Sequence, residues 1–311
     1  MKWLNTWVAT SASPTHPDRN EDSYWVAASE RAAAVIDGMG GYRRRTADGE
    51  VGGEHASSLA AQLLAEHLDR WEENVPLEDA RVRLRVAVEA VNRGIWEQLN
   101  WSGEIPESEN PEGKSLDELT VGVALTLVAL CDGGQRALLA QHGDTRGYVL
   151  KEQLGLIQLT EDQDLLMWER SSGLISEEDA AAVNEMIDHF DGVNVPEGFD
   201  QQVMRYFFDR NIFGALGVEA ECPESGWSVI KLAPGDRLAL LSDGAHSNMS
   251  VDELQDLLAY PEDPATVVVE LAQQRSLLPR SHDPTDPYKP FNLRATQDDM
   301  TAVIVEVGER Q

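Results

Sequence analysis

Five short acidic strings recur along this chain and could together hold metal ions. They are Asn20-Glu21-Asp22, Asp37-Gly38-Met39-Gly40-Gly41, Gly143-Asp144-Thr145-Arg146, Ser242-Asp243-Gly244 and Asp298-Asp299-Met300-Thr301. Most end an apolar run or adjoin a glycine, which is where a strand stops and a tight turn begins. One such aspartate says little. Five in one chain point to carboxylates converging on hard cations, because Mg²⁺ and Mn²⁺ prefer oxygen ligands and keep several waters.

The elements that must carry these strings are legible from periodicity. Trp3 to Thr10 reads as a strand. Tyr24 to Ala28 and Ala32 to Ile36 read as a hairpin with Asp37 at its exit. Glycines 38, 40 and 41 let the backbone turn sharply and approach a ligand. The basic loop Tyr42-Arg43-Arg44-Arg45-Thr46 follows. Two helices come next, about Glu54 to Trp71 and Leu77 to Leu99, the second with Val82, Val86, Val88 and Val91 as apolar positions. Residues 101 to 118 read as an exposed loop. Val121 to Leu130, Arg136 to Gln141, Gly147 to Leu150 and Gly155 to Leu159 are short, closely spaced strands, which favours antiparallel pairing. Residues 162–215 are polar and weakly periodic and read as an insertion over a site, with Ser176 capping a helix. Trp227 to Leu232 and Arg237 to Leu241 read as a hairpin ending at Asp243. Helices follow at Val251 to Leu258 and Ala265 to Arg275, then an exposed loop over 280–296 and a last strand, Thr301 to Val307. This order predicts two sheets with helices outside, an α+β sandwich.

Composition narrows the function. The chain has 311 residues, enough for one large domain or two small ones. It carries 55 Asp+Glu against 25 Lys+Arg, a net charge of −30. A field of that sign repels nucleic acid and anionic lipid, so neither is expected as a partner. Cys131 and Cys222 are the only cysteines, too few for a disulfide framework. No signal peptide is evident, and the longest apolar run is far shorter than the roughly 20 residues of a membrane helix. A cytoplasmic location is expected.

The strings, in order, resemble the motifs of the metal-dependent type 2C (PPM-type) protein serine/threonine phosphatases. The matching segments are RNEDSY (19–24), VIDGMGG (35–41), GGEHAS (52–57), QHGDTR (141–146), ALGV (215–218), APGDRLALLSDG (233–244) and QDDMTAVIV (297–305). The methionine in DGMGG is the form of bacterial members. The resemblance covers nearly the whole chain and implies one catalytic domain, 1–311, with a flap-like insertion at about 162–215. It implies an antiparallel β-sandwich of two sheets, flanked by helices on both outer faces. It also implies two Mn²⁺ or Mg²⁺ ions at one edge. By position, Asp37 would bridge the ions, Asp243 and Asp298 would complete one site, and the Gly38 carbonyl and Asp22 would serve the other. Asp144, with Asp243, matches a third, weaker site. Two cations about 3.5–4 Å apart neutralise a phosphomonoester dianion and activate a water near neutral pH. The implied substrates are phosphoproteins, with a cognate serine/threonine kinase as a further partner.

This chain departs from the family at several points. The arginine that usually grips phosphate falls at Pro17, leaving Arg19 as the candidate and His16 as the alternative. Met39 stands where some relatives place a histidine. Asp298-Asp299 replaces Asp-Asn, so Asp299 would either tighten metal binding or face solvent. The 42–51 loop is longer than usual, and Arg43, Arg44 and Arg45 form either a phosphopeptide-docking patch or a solvated loop. Several residues have structural readings. Asp144 could simply pair with Arg146, Glu21 could be an outer residue, and His55 and His142 could be satisfied structural histidines. Rival functions are a pseudophosphatase that binds phosphoproteins without catalysis and a phosphohydrolase of small phosphate esters.

Overall fold

The computed structural model describes residues 3–39, 44–46, 49–100, 120–208, 211–281 and 289–308, with backbone alone for 44–46, 49 and 50. The expected loop over 101–118, Gly40, Gly41, residues 42, 43, 47 and 48 and the side chains of 44–46, 49 and 50 therefore lie outside the described residues.

Two five-stranded sheets pack face to face. The first contains β1 (Trp3–Ser11), β8 (Arg146–Lys151), β9 (Gly155–Gln158), β11 (Arg237–Leu241) and β12 (Met300–Val307), in the order β1-β12-β11-β8-β9. The second contains β2 (Ser23–Val26), β3 (Ala32–Gly38), β6 (Val123–Cys131), β7 (Arg136–His142) and β10 (Gly226–Lys231), in the order β10-β7-β6-β3-β2. Pairing in both is antiparallel. A small ribbon, β4 (Arg44–Thr46) with β5 (Gly49–Val51), stands apart.

Alternation along the strands builds the layers. One face of each sheet meets the other sheet through Val35, Val128, Leu139, Val149, Leu240 and Val303. The outer face of the second sheet is covered by α1 (Gly53–Leu68) and α2 (Leu77–Ile95). The outer face of the first is covered by α7 (Val251–Leu258) and α8 (Pro264–Ser276). The strand β6 is buried along its whole length, as its unbroken apolar sequence requires in a central strand.

Three expectations need correction. β10 and β11 are not a hairpin. β10 pairs with β7, β11 pairs with β8 and β12, and the Pro234-Gly235-Asp236 turn carries the chain from one sheet to the other. On α2, Val82 and Val86 face solvent, and the buried stripe is Ala80, Leu84, Ala87, Val88, Val91 and Ile95. A helix has one core-facing side, and Val82 and Val86 share the other one with the arginines. The 280–296 segment is not wholly exposed. Asn292, Arg294, Ala295 and Thr296 are buried, because Arg294 donates to the Phe190 carbonyl and Asn248 accepts from the Thr296 amide at 3.0 Å.

The 162–215 segment contains α3 (Leu165–Ser171), α4 (Glu177–His189) and α5 (Gln201–Phe208). Ser176 caps α4 as expected, accepting from the Asp179 amide. These helices bury small clusters of their own, around Leu166, Ala180 and Tyr206 and around Phe190, Phe199 and Val203.

Candidate metal centre

Strand ends at one edge of the sandwich bring the five acidic strings together. Asp37 and Gly38 finish β3, and Asp144 occupies the crossing between β7 and β8. Asp243 opens α6 (Asp243–His246) directly after β11, and Asp298 and Asp299 lead into β12.

Hydrogen bonds lock these strings to one another. The Gly38 amide donates to the Glu21 carbonyl at 3.1 Å. The Ser242 hydroxyl donates to Asp22 Oδ2 at 2.7 Å and accepts from the Thr301 amide at 2.8 Å. The Ser242 amide donates to the Thr301 carbonyl at 3.0 Å. His246 Nε2 donates to the Asp144 carbonyl at 3.0 Å. Asn248 donates to the Gly244 carbonyl and so holds the turn after Asp243.

Close backbone contact explains two glycines. A Cβ on Gly244 would sit 1.9 Å from the Asp299 carbonyl oxygen, and one on Gly38 would sit 2.4 Å from those of Glu21 and Gly53. No side chain fits at either position, so glycine is required for the strings to touch.

The electrostatics follow from this crowding. Burial pushes the Asp37 carboxyl well above the usual carboxylate range, and the carboxylates of Asp22, Asp243, Asp298 and Asp144 push it the same way. Burial also raises Asp22, against the opposing hydrogen bonds from Ser242 and Thr301. Asp22 and Asp243 are buried, Asp37 and Asp144 half-buried, and Asp298 exposed, so the edge opens to solvent on the Asp298 side. Among the described residues, Asp22 Oδ1 is buried without a hydrogen-bond partner. A buried, unsatisfied carboxylate oxygen among like charges fits a hard cation, whose charge would reverse the local preference for the protonated form. Among the described residues, no group of three His, Cys, Asp or Glu side chains is set closely enough to hold one ion.

Asp299 does not face solvent. It is 2% exposed, and its two oxygens accept from the amides of Ser13 and Glu21, each at 2.6 Å. It clamps the 13–21 segment to the start of β12. Arg19 Nε lies 3.0 Å from Glu21 Oε1. His16 Nδ1 lies 3.0 Å from the Arg19 carbonyl and 3.7 Å from Asp299 Oδ1, so it braces the same turn. Glu21 is buried, and its desolvation raises its carboxyl against the opposing charge of Arg19.

The guanidinium of Arg146 reaches Asp162 at 2.7 Å and Asp188 at 3.3 Å. These partners lie in the 162–215 segment and neutralise Arg146 without recourse to Asp144. Both histidines in question are structural. His55 Nδ1 accepts from the Gly52 amide at the start of α1. His142 is buried, bonded to the Gly214 carbonyl and the Ser225 hydroxyl, and burial lowers its pKa to about 4. Cys131 is a buried hydrophobe whose thiol is pushed up to about 12 by burial.

Ser242 and the clamp role of Asp299 were missed by sequence reasoning. The signal for Ser242 is a hydroxyl beside a strand-end aspartate. Nothing in the sequence separates Asp299 from its neighbour Asp298.

A helix-flanked double sheet with carboxylates gathered at one edge is the architecture this chain presents. The model of the family described as protein phosphatase 2C matches residues 18–275, and the chain belongs to that family. The serine/threonine phosphatase Stp of Listeria monocytogenes is 30% identical over 228 residues, spanning 72% of this chain and 70% of that one. The crystal structure of the Mycobacterium tuberculosis serine/threonine phosphatase PstP/Ppp superposes with a TM-score of 0.64 at 25% identity. It covers 98% of this chain and 99% of its own. The catalytic domain of PstP in complex with two manganese ions superposes at 0.61, also at 25% identity, covering 98% of each chain. No helix among the described residues is long and apolar enough to cross a membrane.

Proposed function

We propose that this chain is a Mn²⁺- or Mg²⁺-dependent phosphatase acting on phosphoserine and phosphothreonine in proteins. The observation that carries this reading is the hydrogen-bonded interlocking of five acidic strings drawn from across the chain. Family membership and the two manganese ions of the PstP neighbour support it.

In this reading Asp37 would serve two ions, with Asp243 and Asp298 completing one site and the Gly38 carbonyl and Asp22 the other. Asp144 and Asp243 would hold a third. Bound cations of this kind neutralise phosphate charge and lower the pKa of water. The chain's own residues supply the geometry. Ser242 fixes the rotamer of Asp22, Asp299 pins the backbone of Glu21, and Arg19 stands on the same turn to bind phosphate oxygens. Residues 1–311 form one catalytic domain, with 162–215 as a flap beside the site. A cognate serine/threonine kinase is the opposing enzyme.

The test is turnover of p-nitrophenyl phosphate and a phosphothreonine peptide. EDTA should abolish it and Mn²⁺ restore it. Asp37→Asn and Asp243→Asn should each lower kcat by roughly 10² or more, since each removes a charge from a preorganised site. Near-full activity in either folded variant would sink the assignment.

A further inference from the structure

An open cleft of about 450 Å³ is lined by Met39, the residue after the Gly38 turn, and by residues from 212–224. Its apolar lining includes Met39, Phe213 and Val218. The same lining carries Glu219, Glu221 and Glu224, all exposed. Among the described residues, no lysine or arginine lines it.

The wall is held in place from several directions. The Gly143 amide donates to Gln163 Oε1 at 2.8 Å, and the Phe213 amide donates to the Gln163 carbonyl at 2.6 Å. Gln163 thereby ties the start of the cleft to the turn that bears Asp144. Leu216 and Val123 exchange two backbone hydrogen bonds, at 3.0 and 2.9 Å. Asn92 accepts from the Gly217 amide at 2.7 Å and donates to the Glu219 carbonyl at 3.1 Å. The cleft is therefore preformed, and binding in it need not order the wall. Phe213 remains 39% exposed although it stacks on Trp168, which is itself 45% exposed. An aromatic pair left in water at the cleft wall marks a contact surface more than a packing solution.

We propose, on the strength of the phosphatase reading, that this cleft docks the substrate segment flanking the phosphorylated residue. We further propose that it selects segments pairing an apolar side chain with lysine or arginine. The apolar side chain lies against Phe213 and Met39. The cation meets Glu219, Glu221 and Glu224. Charge complementarity fixes the sign, because an acidic flank would bring further negative charge to a wall that, among the described residues, holds three carboxylates and no cation. A small phosphate ester occupies only the acidic edge and does not reach the cleft.

The test uses the full chain with Mn²⁺ and three substrates. These are p-nitrophenyl phosphate, a phosphothreonine peptide with Arg and Leu flanks, and the same peptide with Glu flanks. The triple variant Glu219→Gln, Glu221→Gln, Glu224→Gln is compared with a control triple of equal charge change, Glu152→Gln, Glu262→Gln, Glu270→Gln, at exposed positions remote from the cleft. Wild type should prefer the basic peptide. The cleft triple should lose about tenfold in kcat/KM on that peptide, as expected from three exposed, salt-screened pairings, with p-nitrophenyl phosphate turnover unchanged. Phe213→Ala should lower kcat/KM on both peptides and not on the small ester. Unaltered peptide selectivity in the cleft triple, or an equal loss in the control triple, would overturn the cleft while leaving the phosphatase reading standing. Absence of p-nitrophenyl phosphate turnover in wild type would overturn both.

Discussion

Replacing Asp299 by alanine should destabilise the fold through the loss of two specific hydrogen bonds. Both carboxylate oxygens accept backbone amides at 2.6 Å, from Ser13 and Glu21, and those residues are 0% and 4% exposed. A hydrogen bond to a charged group contributes about 1.5–3 kcal/mol, and a buried donor left unpaired costs about as much. Two such bonds set an upper range of about 3–6 kcal/mol. Part of this is offset, because the Asp299 charge repels the buried carboxylates of Asp22 and Glu21. A net loss of about 2–4 kcal/mol is expected, a large share of the roughly 5–15 kcal/mol of a typical domain. Asp299→Asn should fall between, since its amide can accept from one backbone N–H while its NH₂ opposes the other. The assay is urea unfolding in EDTA, so that metal binding to the folded state does not mask the difference. A loss under about 1 kcal/mol for Asp299→Ala would refute the clamp, since even one such bond is worth more.

Ser242→Ala removes the hydroxyl that holds Asp22 and should weaken Mn²⁺ binding about 10-fold or more by calorimetry, as loss of an outer partner of a ligand does; unchanged affinity would show that Asp22 is positioned by other contacts. Asp164 caps α3 by accepting from the Met167 amide at 2.9 Å, and burial and the neighbouring Asp162 raise its carboxyl from 3.8 to about 6. The folded state therefore keeps a proton that the unfolded chain has lost between these values, so ionised Asp164 lowers stability above pH 6, and this penalty fades as pH falls towards 4. Asp164→Asn preserves the cap and should stabilise by about 1–2 kcal/mol at pH 7.5 and not at pH 4, read from urea midpoints; equal effects at both pH values would contradict the assignment. Arg19→Ala should raise KM for p-nitrophenyl phosphate several-fold with Mn²⁺ affinity unchanged; if it is silent while His16→Ala raises KM, the phosphate contact belongs to His16.

Much of the molecule was legible in the sequence for a local reason. Strands and helices announce themselves by period, so β1, β6, α1 and α8 fall within a few residues of their expected bounds. Aspartates at strand ends beside glycine are visible in a sequence, and Asp37, Asp144 and Asp243 are of that kind. The serine at 176 could be read as a cap because capping involves residues three apart.

What remained hidden depends on contacts between distant segments. Alternation along β10 and β11 tells which residues are buried but not which strand each one pairs with, so the sheet crossing at Pro234 to Asp236 was misread as a hairpin. Val82 and Leu84 are both plausible core residues by type, and only the seating of α2 on the second sheet decides that Leu84 is buried and Val82 is not. Asp298 and Asp299 are chemically identical neighbours. The chain direction at the start of β12 turns one towards solvent and the metal edge, and the other inward to the Ser13 and Glu21 amides. Residue type and order determined that carboxylates would meet near one edge of the sandwich. The packing of two sheets decided which of them stay accessible there and which are tied into the fold, because that depends on side-chain directions set by partners up to 286 positions away.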